Sequence, residues 1–239
     1  SILLVLAWQD MLKLHLVPGL VLAVVTLRGL STSYMTDKGI RPSVKSYLND
    51  ARDMIRHPLV IVTIAINVLT GMARLSVITF LPVYIQDDLA YSTFGLGVFW
   101  GLLHAMGAVS QPVMGYLSDK LGRKPVLLPS LVIFGILYFG LAVAEPGWPL
   151  FFVIAALGLF FYALNSLTMA TMMDVANSSV QASTMGISSI FTQGVALPGP
   201  IIAGVLVTKF GTTSAFLFAG SVTILAALIL VMYRSPRRV

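Results

Sequence analysis

The chain has 239 residues, of which 57% are apolar and 10% charged, with a mean hydropathy of +0.92. Soluble domains carry about 25% charged residues, so the composition argues for lipid rather than water around most of the chain. The absence of cysteine excludes disulfides, thiolate metal sites and cysteine nucleophiles, and the formal charge of +6 lies at the ends of apolar runs rather than on one basic face for nucleic acid.

In chain order, Ser1 is followed at once by the apolar stretch 2–7, without the basic n-region or small-residue cleavage site of a signal peptide. The chain is therefore expected to start inside a hydrophobic segment, as a fragment of a longer one. A helix crossing about 30 Å of hydrocarbon needs about 20 residues, most of them apolar. Segments at about 10–27, 58–84, 92–117, 125–144, 149–173, 185–208 and 213–233 meet that condition. Their length and repetition select spanning helices over buried soluble ones. Strands of a β-barrel would be about 9–11 residues long and alternating, which these are not.

The first of these spans is followed by a long loop, about 28–57. Within it Val44, Leu48, Ala51 and Ile55 share one helical face, with charges opposite. That pattern fits an amphipathic helix on the inner leaflet or a solvated linker helix. In segment 58–84, Asn67, Thr70 and Arg74 are spaced i, i+3, i+7 and share a face. An arginine in hydrocarbon costs at least ~2.5–3.5 kcal/mol, so Arg74 either contacts an anion or acts as a gate, or it snorkels outward or pairs structurally. In segment 92–117, His104 and Gln111 lie seven apart on one stripe, and Gly97 and Gly101 offer a packing face. Histidine changes charge near neutral pH, so His104 is read as a proton-coupling group or as a side chain hydrogen-bonded across helices.

Segment 125–144 has only Ser130 and Tyr138 as interior polar side chains, and 213–233 only Ser221 and Thr223 before Tyr233. Such helices can face lipid. Segment 149–173 carries Tyr162, Asn165, Ser166, Thr168 and Thr171, with Asn165 the leading candidate to line a cavity. Ser188, Ser189, Thr192 and Gln193 in segment 185–208 suit packing and interhelix hydrogen bonds. No Asp or Glu lies in the middle of a span, since Asp174 ends one and Glu145 sits in a turn. A carboxylate that couples protons would then belong to a missing part of the protein, and strong selection for cations is disfavoured.

The cations fix the expected topology. Arg28, Lys38, Arg41, Lys45, Arg52, Arg56, Lys120, Arg123, Lys124, Arg234, Arg237 and Arg238 fall on one side, and Lys13 and Lys209 on the other. Only Arg74 remains, inside a span. The positive-inside rule places the long loop and the C-terminus in the cytoplasm.

The turn near 118–124 names a relationship. Gly115-Tyr116-Leu117-Ser118-Asp119-Lys120-Leu121-Gly122-Arg123-Lys124-Pro125 resembles the major facilitator signature G-x-L-[small]-D-[RK]-x-G-R-[RK] at every defined position. Gly115 is expected to allow close helix approach, Gly122 to take the left-handed conformation of a tight reversal, and Asp119 to meet a helix N-terminus or Arg123. The resemblance implies a conformational latch at Gly115, Asp119, Gly122, Arg123 and Lys124, and secondary transport by alternating access. Gly194, Pro198, Gly199, Pro200, Ala203 and Gly204 look like the Gly-Pro pattern of facilitator antiporters, although on the pseudo-symmetric partner of the helix that carries it. There the prolines are expected to kink the helix and the small residues to pack it closely. Trp8, Pro18-Gly19-Leu20 and Ala23 resemble the family's sixth helix.

The implied fold is an all-α membrane protein, the six-helix C-terminal bundle of the major facilitator fold with the sixth helix and central cytoplasmic loop before it. The implied divisions are 1–27, 28–57 and 58–239. Polarity within the spans makes Asn67, Thr70, Arg74, His104, Gln111, Tyr162 and Asn165 cavity candidates; the resemblance implies a cavity lined by the helices at 58–84 and 149–173, with 125–144 and 213–233 at the periphery. The expected protein sits in the plasma or inner membrane and exchanges a small organic solute, drug, metabolite or organic anion, against protons, with efflux as the implied direction. It would be monomeric once joined to the N-terminal half of the same chain, and need no cofactor, metal or nucleic acid. Motifs of membrane enzymes, H-E-x-x-H, G-x-S-x-G and the Walker loop, are missing, as is a filter-like channel segment. A half-length or transport-inactive interaction partner or sensor of the same fold stays open.

Overall fold

A computed structural model describes residues 8–29, 58–174, 189 and 194–233. The chain forms two compact units, Ser1–Ser46 and Tyr47–Val239. In the first, α1 (Trp8–Gly29) contains Pro18 and ends on Arg28. Its side chains from 16 to 28 are all exposed, Leu16, Leu20 and Leu27 among them. The loop face Val44, Leu48, Ala51 and Ile55, and Ser188, Thr192 and Gln193, lie outside the described residues.

The second unit is a helical bundle. Helix α2 (Pro58–Val83) winds on as a π turn, Tyr84–Asp88. Helix α3 (Thr93–Leu121) starts where the Ser92 hydroxyl accepts from the Gly95 N–H at 3.1 Å, satisfying a donor the helix leaves free. There follow α4 (Arg123–Val143), α5 (Trp148–Phe161), α6 (Ala163–Met173), α7 (Pro198–Phe210) and α8 (Thr213–Met232). The runs Pro58–Asp88, Thr93–Leu121, Arg123–Val143, Trp148–Met173 and Thr213–Met232 are long and apolar enough to cross a membrane, while Gly194–Phe210 is shorter. No strand occurs among the described residues.

Apolar faces decide the packing. Helix α8 lies against α4 and α2, α3 against α5, and α7 against α2 and α8, while α6 touches α2, α3, α4 and α5. Phe134, Tyr138, Leu131, Leu157 and Phe216 fill the centre. Hydroxyls inside the bundle turn back on their own helices, as Thr63 to Leu59, Ser76 to Met72, Ser130 to Val126 and Thr223 to Ala219. That bond lets a short polar side chain sit in apolar surroundings without leaving a donor unpaired. Among large side chains, the exposed ones on α4 and α8 are apolar, Ile133, Ile136, Leu225 and Leu228 among them. Helix α3 is the least covered span, with 22% of its apolar stretch buried against 44% for α4 and α8.

Three expectations about local structure are corrected. Helix α3 continues through Asp119, Lys120 and Leu121, and α4 begins at Arg123, so the reversal is Gly122 alone. Gly122 has φ 96° and ψ 157°, a region reached essentially by glycine only and distinct from the left-handed helical one. The span 149–173 is interrupted at Tyr162, whose φ −104° and ψ −33° loosen the helix for one residue without reversing it. Among the described residues, close helix approach falls on other glycines than Gly97, Gly101 and Gly115, none of which has a neighbour there within 4 Å of its Cβ position. A Cβ on Gly158 would lie 2.6 Å from the Leu103 carbonyl oxygen, and one on Gly220 2.8 Å from the Phe139 ring. Sequence spacing shows where small residues recur, but not which face meets a neighbour.

Candidate functional site

The polar side chains of the spans gather in three places along α2, α3 and the α5–α6 run. The first is a cleft lined by Asn67, Thr70, Gly71 and Arg74 of α2, with Phe134, Phe161, Leu164 and Asn165 opposite. It encloses about 10 Å³, room for a single water. Asn67 is only 3% exposed and accepts a hydrogen bond from the Thr168 hydroxyl, while its amide points at Met172 Sδ at 3.8 Å. It therefore fastens α2 to α6 as well as lining the cleft. The Thr70 hydroxyl returns to the Ile66 carbonyl at 2.8 Å. Arg74 is half-buried, and its guanidinium makes no hydrogen bond or ion pair among the described residues. The exposed Asn165 amide is likewise without a partner there.

A second group joins α3 to the interruption at Tyr162. His104 Nδ1 lies 2.7 Å from the Trp100 carbonyl oxygen, which can only accept, so Nδ1 carries a hydrogen. In the neutral ring Nε2 then accepts from the Tyr162 hydroxyl at 2.7 Å. Gly107 makes this reach possible, since a Cβ there would stand 2.7 Å from the Tyr162 ring. The aromatic contacts run on: Tyr162 to Phe161 with centroids 5.2 Å apart, and Phe161 to Phe134 at 6.3 Å. Both phenylalanines line the first cleft.

The third group is the signature turn. Arg123 Nη1 lies 2.6 Å from Asp119 Oδ1 and donates to Ser118 Oγ at 3.1 Å. Its Nε and Nη2 face the two oxygens of Asp174 at 2.8 and 3.3 Å. This forked geometry is the strong form of an arginine–carboxylate pair, and it ties the ends of α3, α4 and α6 to one guanidinium. The Lys124 ammonium donates to the Tyr233 carbonyl at the end of α8. A cavity of about 270 Å³ opens beside the turn, lined by Gln111, Gly115, Asp119, Arg123 and Ser166 among others. Among the described residues Gly115 borders this cavity. Asp174 was read from the sequence only as the end of a span. Its signal was an acid at the same membrane side as the arginine turn, and the 51 positions between them hid the pairing.

The Gly-Pro segment serves packing. Leu197 interrupts the helical run, and Pro198 and Pro200 sit in the first turn of α7, where a missing N–H leaves no bond broken. A Cβ on Gly199 would lie 2.7 Å from Met72 Cα of α2, and one on Gly204 3.6 Å from the Phe80 ring. Gly194 has no neighbour within 4 Å of its Cβ position among the described residues. Elsewhere, the Tyr138 hydroxyl is fully buried with no hydrogen-bond partner among the described residues. Among those residues no three His, Cys, Asp or Glu side chains converge on a metal position.

Known proteins share this arrangement of sequence. The family model described as Major Facilitator Superfamily matches residues 105–239, more than half of the chain. The multi-drug resistance efflux pump PmrA of Streptococcus pneumoniae is 28% identical over 171 residues, covering 70% of this chain and 42% of that protein. The multidrug resistance protein MdtG of Enterobacter lignolyticus is 30% identical over 174 residues, covering 69% and 40%. MdtG of Proteus mirabilis is 27% identical over 173 residues, covering 70% and 42%. The chain spans about two fifths of the length of these curated relatives. With its signature turn, its apolar helices and a match over more than half its length, this multi-pass membrane chain belongs to the Major Facilitator Superfamily.

Proposed function

We propose that the whole protein is a secondary active transporter that moves a small organic solute outward across the plasma or inner membrane by alternating access, coupled to protons. The observation that carries this reading is the gathering of costly polar groups, Asn67, Thr70, Arg74, His104, Tyr162 and Asn165, on α2, α3 and the α5–α6 run. Polar side chains at membrane depth are expensive unless they line a path or pair, and α4 and α8 expose apolar side chains instead. The names of the relatives, efflux pump and multidrug resistance protein, support export of drug-like solutes. The pairing of Arg123 with Asp119 and Asp174 supports a latch that holds one state of the cycle. His104 supports proton coupling, as histidine is the side chain that changes charge near neutral pH. The charge asymmetry supports a cytoplasmic loop and C-terminus, and the divisions 1–27, 28–57 and 58–239 follow the same reading.

The test is flux by the full-length protein in liposomes under an imposed pH gradient. Saturable, gradient-driven flux is expected, lost in both Asn165→Ala and Asp119→Asn and losing its pH dependence in His104→Asn. Unchanged flux in all three variants would remove these residues from the mechanism. No flux from the unaltered protein would favour a transport-inactive partner or sensor of the same fold.

A further inference from the structure

Near the middle of the apolar run Pro58–Asp88 stands a cation without a hydrogen-bond or ion-pair partner among the described residues. The guanidinium of Arg74 brings five N–H donors and no lone pair, and among the described residues none of the five finds an acceptor. Across the cleft, the Asn165 amide is also unpartnered. The remaining polar groups of the cleft are committed, Asn67 to Thr168 and Met172 and Thr70 to the Ile66 carbonyl. Described acids offer no relief, because Asp87, Asp88, Asp119, Glu145 and Asp174 all lie at the ends of helices or in turns. A charge at membrane depth without counter-charge is costly. Beside the donors, Phe134 and Phe161 supply an apolar wall.

The cleft itself holds no more than a water, so an occupant rests across its mouth, where Asn165 is exposed and Arg74 half-exposed. Such an occupant must contribute lone pairs, a negative charge and an apolar body. We infer that Arg74 and Asn165 are the recognition point for the anionic group, a carboxylate, sulfonate or phosphonate, of an amphiphilic organic acid carried by this protein. The inference rests on the transport reading and names the substrate class that reading leaves open. The same acceptor chemistry could come from a carboxylate elsewhere in the protein, and the experiment separates the two sources.

The experiment uses the full-length protein in liposomes and two dyes of similar size and opposite charge, carboxyfluorescein and rhodamine 123. The unaltered protein is expected to move carboxyfluorescein saturably and in preference to rhodamine 123. Arg74→Gln should raise the KM for carboxyfluorescein about ten- to a hundred-fold, the scale of hydrogen bonds to charged groups, and change the KM for rhodamine 123 far less, so that the preference between the two dyes shrinks. Arg74→Lys, which keeps the charge but loses the fork, should fall between. Equal loss of both dyes in Arg74→Gln would mark a carboxylate of the protein as the partner of Arg74 and overturn the inference while transport stands. A preference of the unaltered protein for rhodamine 123 would overturn it too. Saturable flux of neither dye above protein-free liposomes would overturn the transport reading, and this inference with it.

Discussion

At the scale of single residues, the pair His104–Tyr162 depends on an absence of atoms. The Tyr162 ring occupies the space a Cβ on Gly107 would take, 2.7 Å from its Cδ2, and the Gly158 carbonyl stands 3.3 Å away on the same side. Gly107→Ala should therefore push the ring off His104 and destabilise the protein by about 1–3 kcal/mol, as overpacking does. Thermal unfolding of the full-length protein in detergent measures this, and the same change in a Tyr162→Leu background should cost less. The sequence showed His104 as a polar group on one stripe of its helix and left open whether it served protons or helix pairing. Its partner was not legible, because the two residues are 58 positions apart and meet only through tertiary packing. The face shared by Asn67, Thr70 and Arg74 was legible, because helical periodicity alone brings residues three and four apart together.

Among the elements, five of the seven expected spans were legible because an apolar run of about 20 residues has few other solutions, and their ends were less so. Asp119 and Lys120 were read as turn, yet α3 carries them in its last helical turn. A charge marks where a helix leaves hydrocarbon, which need not be where it stops. The single-residue reversal at Gly122 places the strain at one backbone position. Gly122→Ala should cost about 1–3 kcal/mol, the range for a side chain held in such a conformation. Its unfolding midpoint should drop, and lengthening the turn by one inserted glycine beside the alanine should restore part of the loss. Small-residue patterns were the least legible element, since among the described residues Gly97 and Gly101 meet no neighbour while Gly107, Gly158 and Gly199 do.

On the scale of the whole molecule, Arg123 joins three helix ends, and its partners differ in exposure, Asp119 at 67% and Asp174 at 44%. Partly exposed ion pairs contribute up to about 1 kcal/mol, enough to bias two conformations without locking either. This chain has no cysteine, so once any cysteine elsewhere in the full-length protein is replaced, a thiol introduced as Ser166→Cys beside the neighbouring cavity can report the bias. Maleimide labelling of that thiol in the full-length protein should quicken about two- to five-fold when Asp174→Asn is added. An unchanged rate would show that the pair does not hold the end of the bundle. The glycine contacts have a further consequence for how such a molecule moves. Helix α5 meets the backbone of α3 at Gly158, α7 meets the backbone of α2 at Gly199, and α8 meets the Phe139 ring of α4 at Gly220, each too closely to admit a Cβ. Like bolted beams, such pairs leave little slack for sliding in a close-packed interior, so any shear of the bundle is expected at the seams between pairs, among them those where α6 meets α2 and α3.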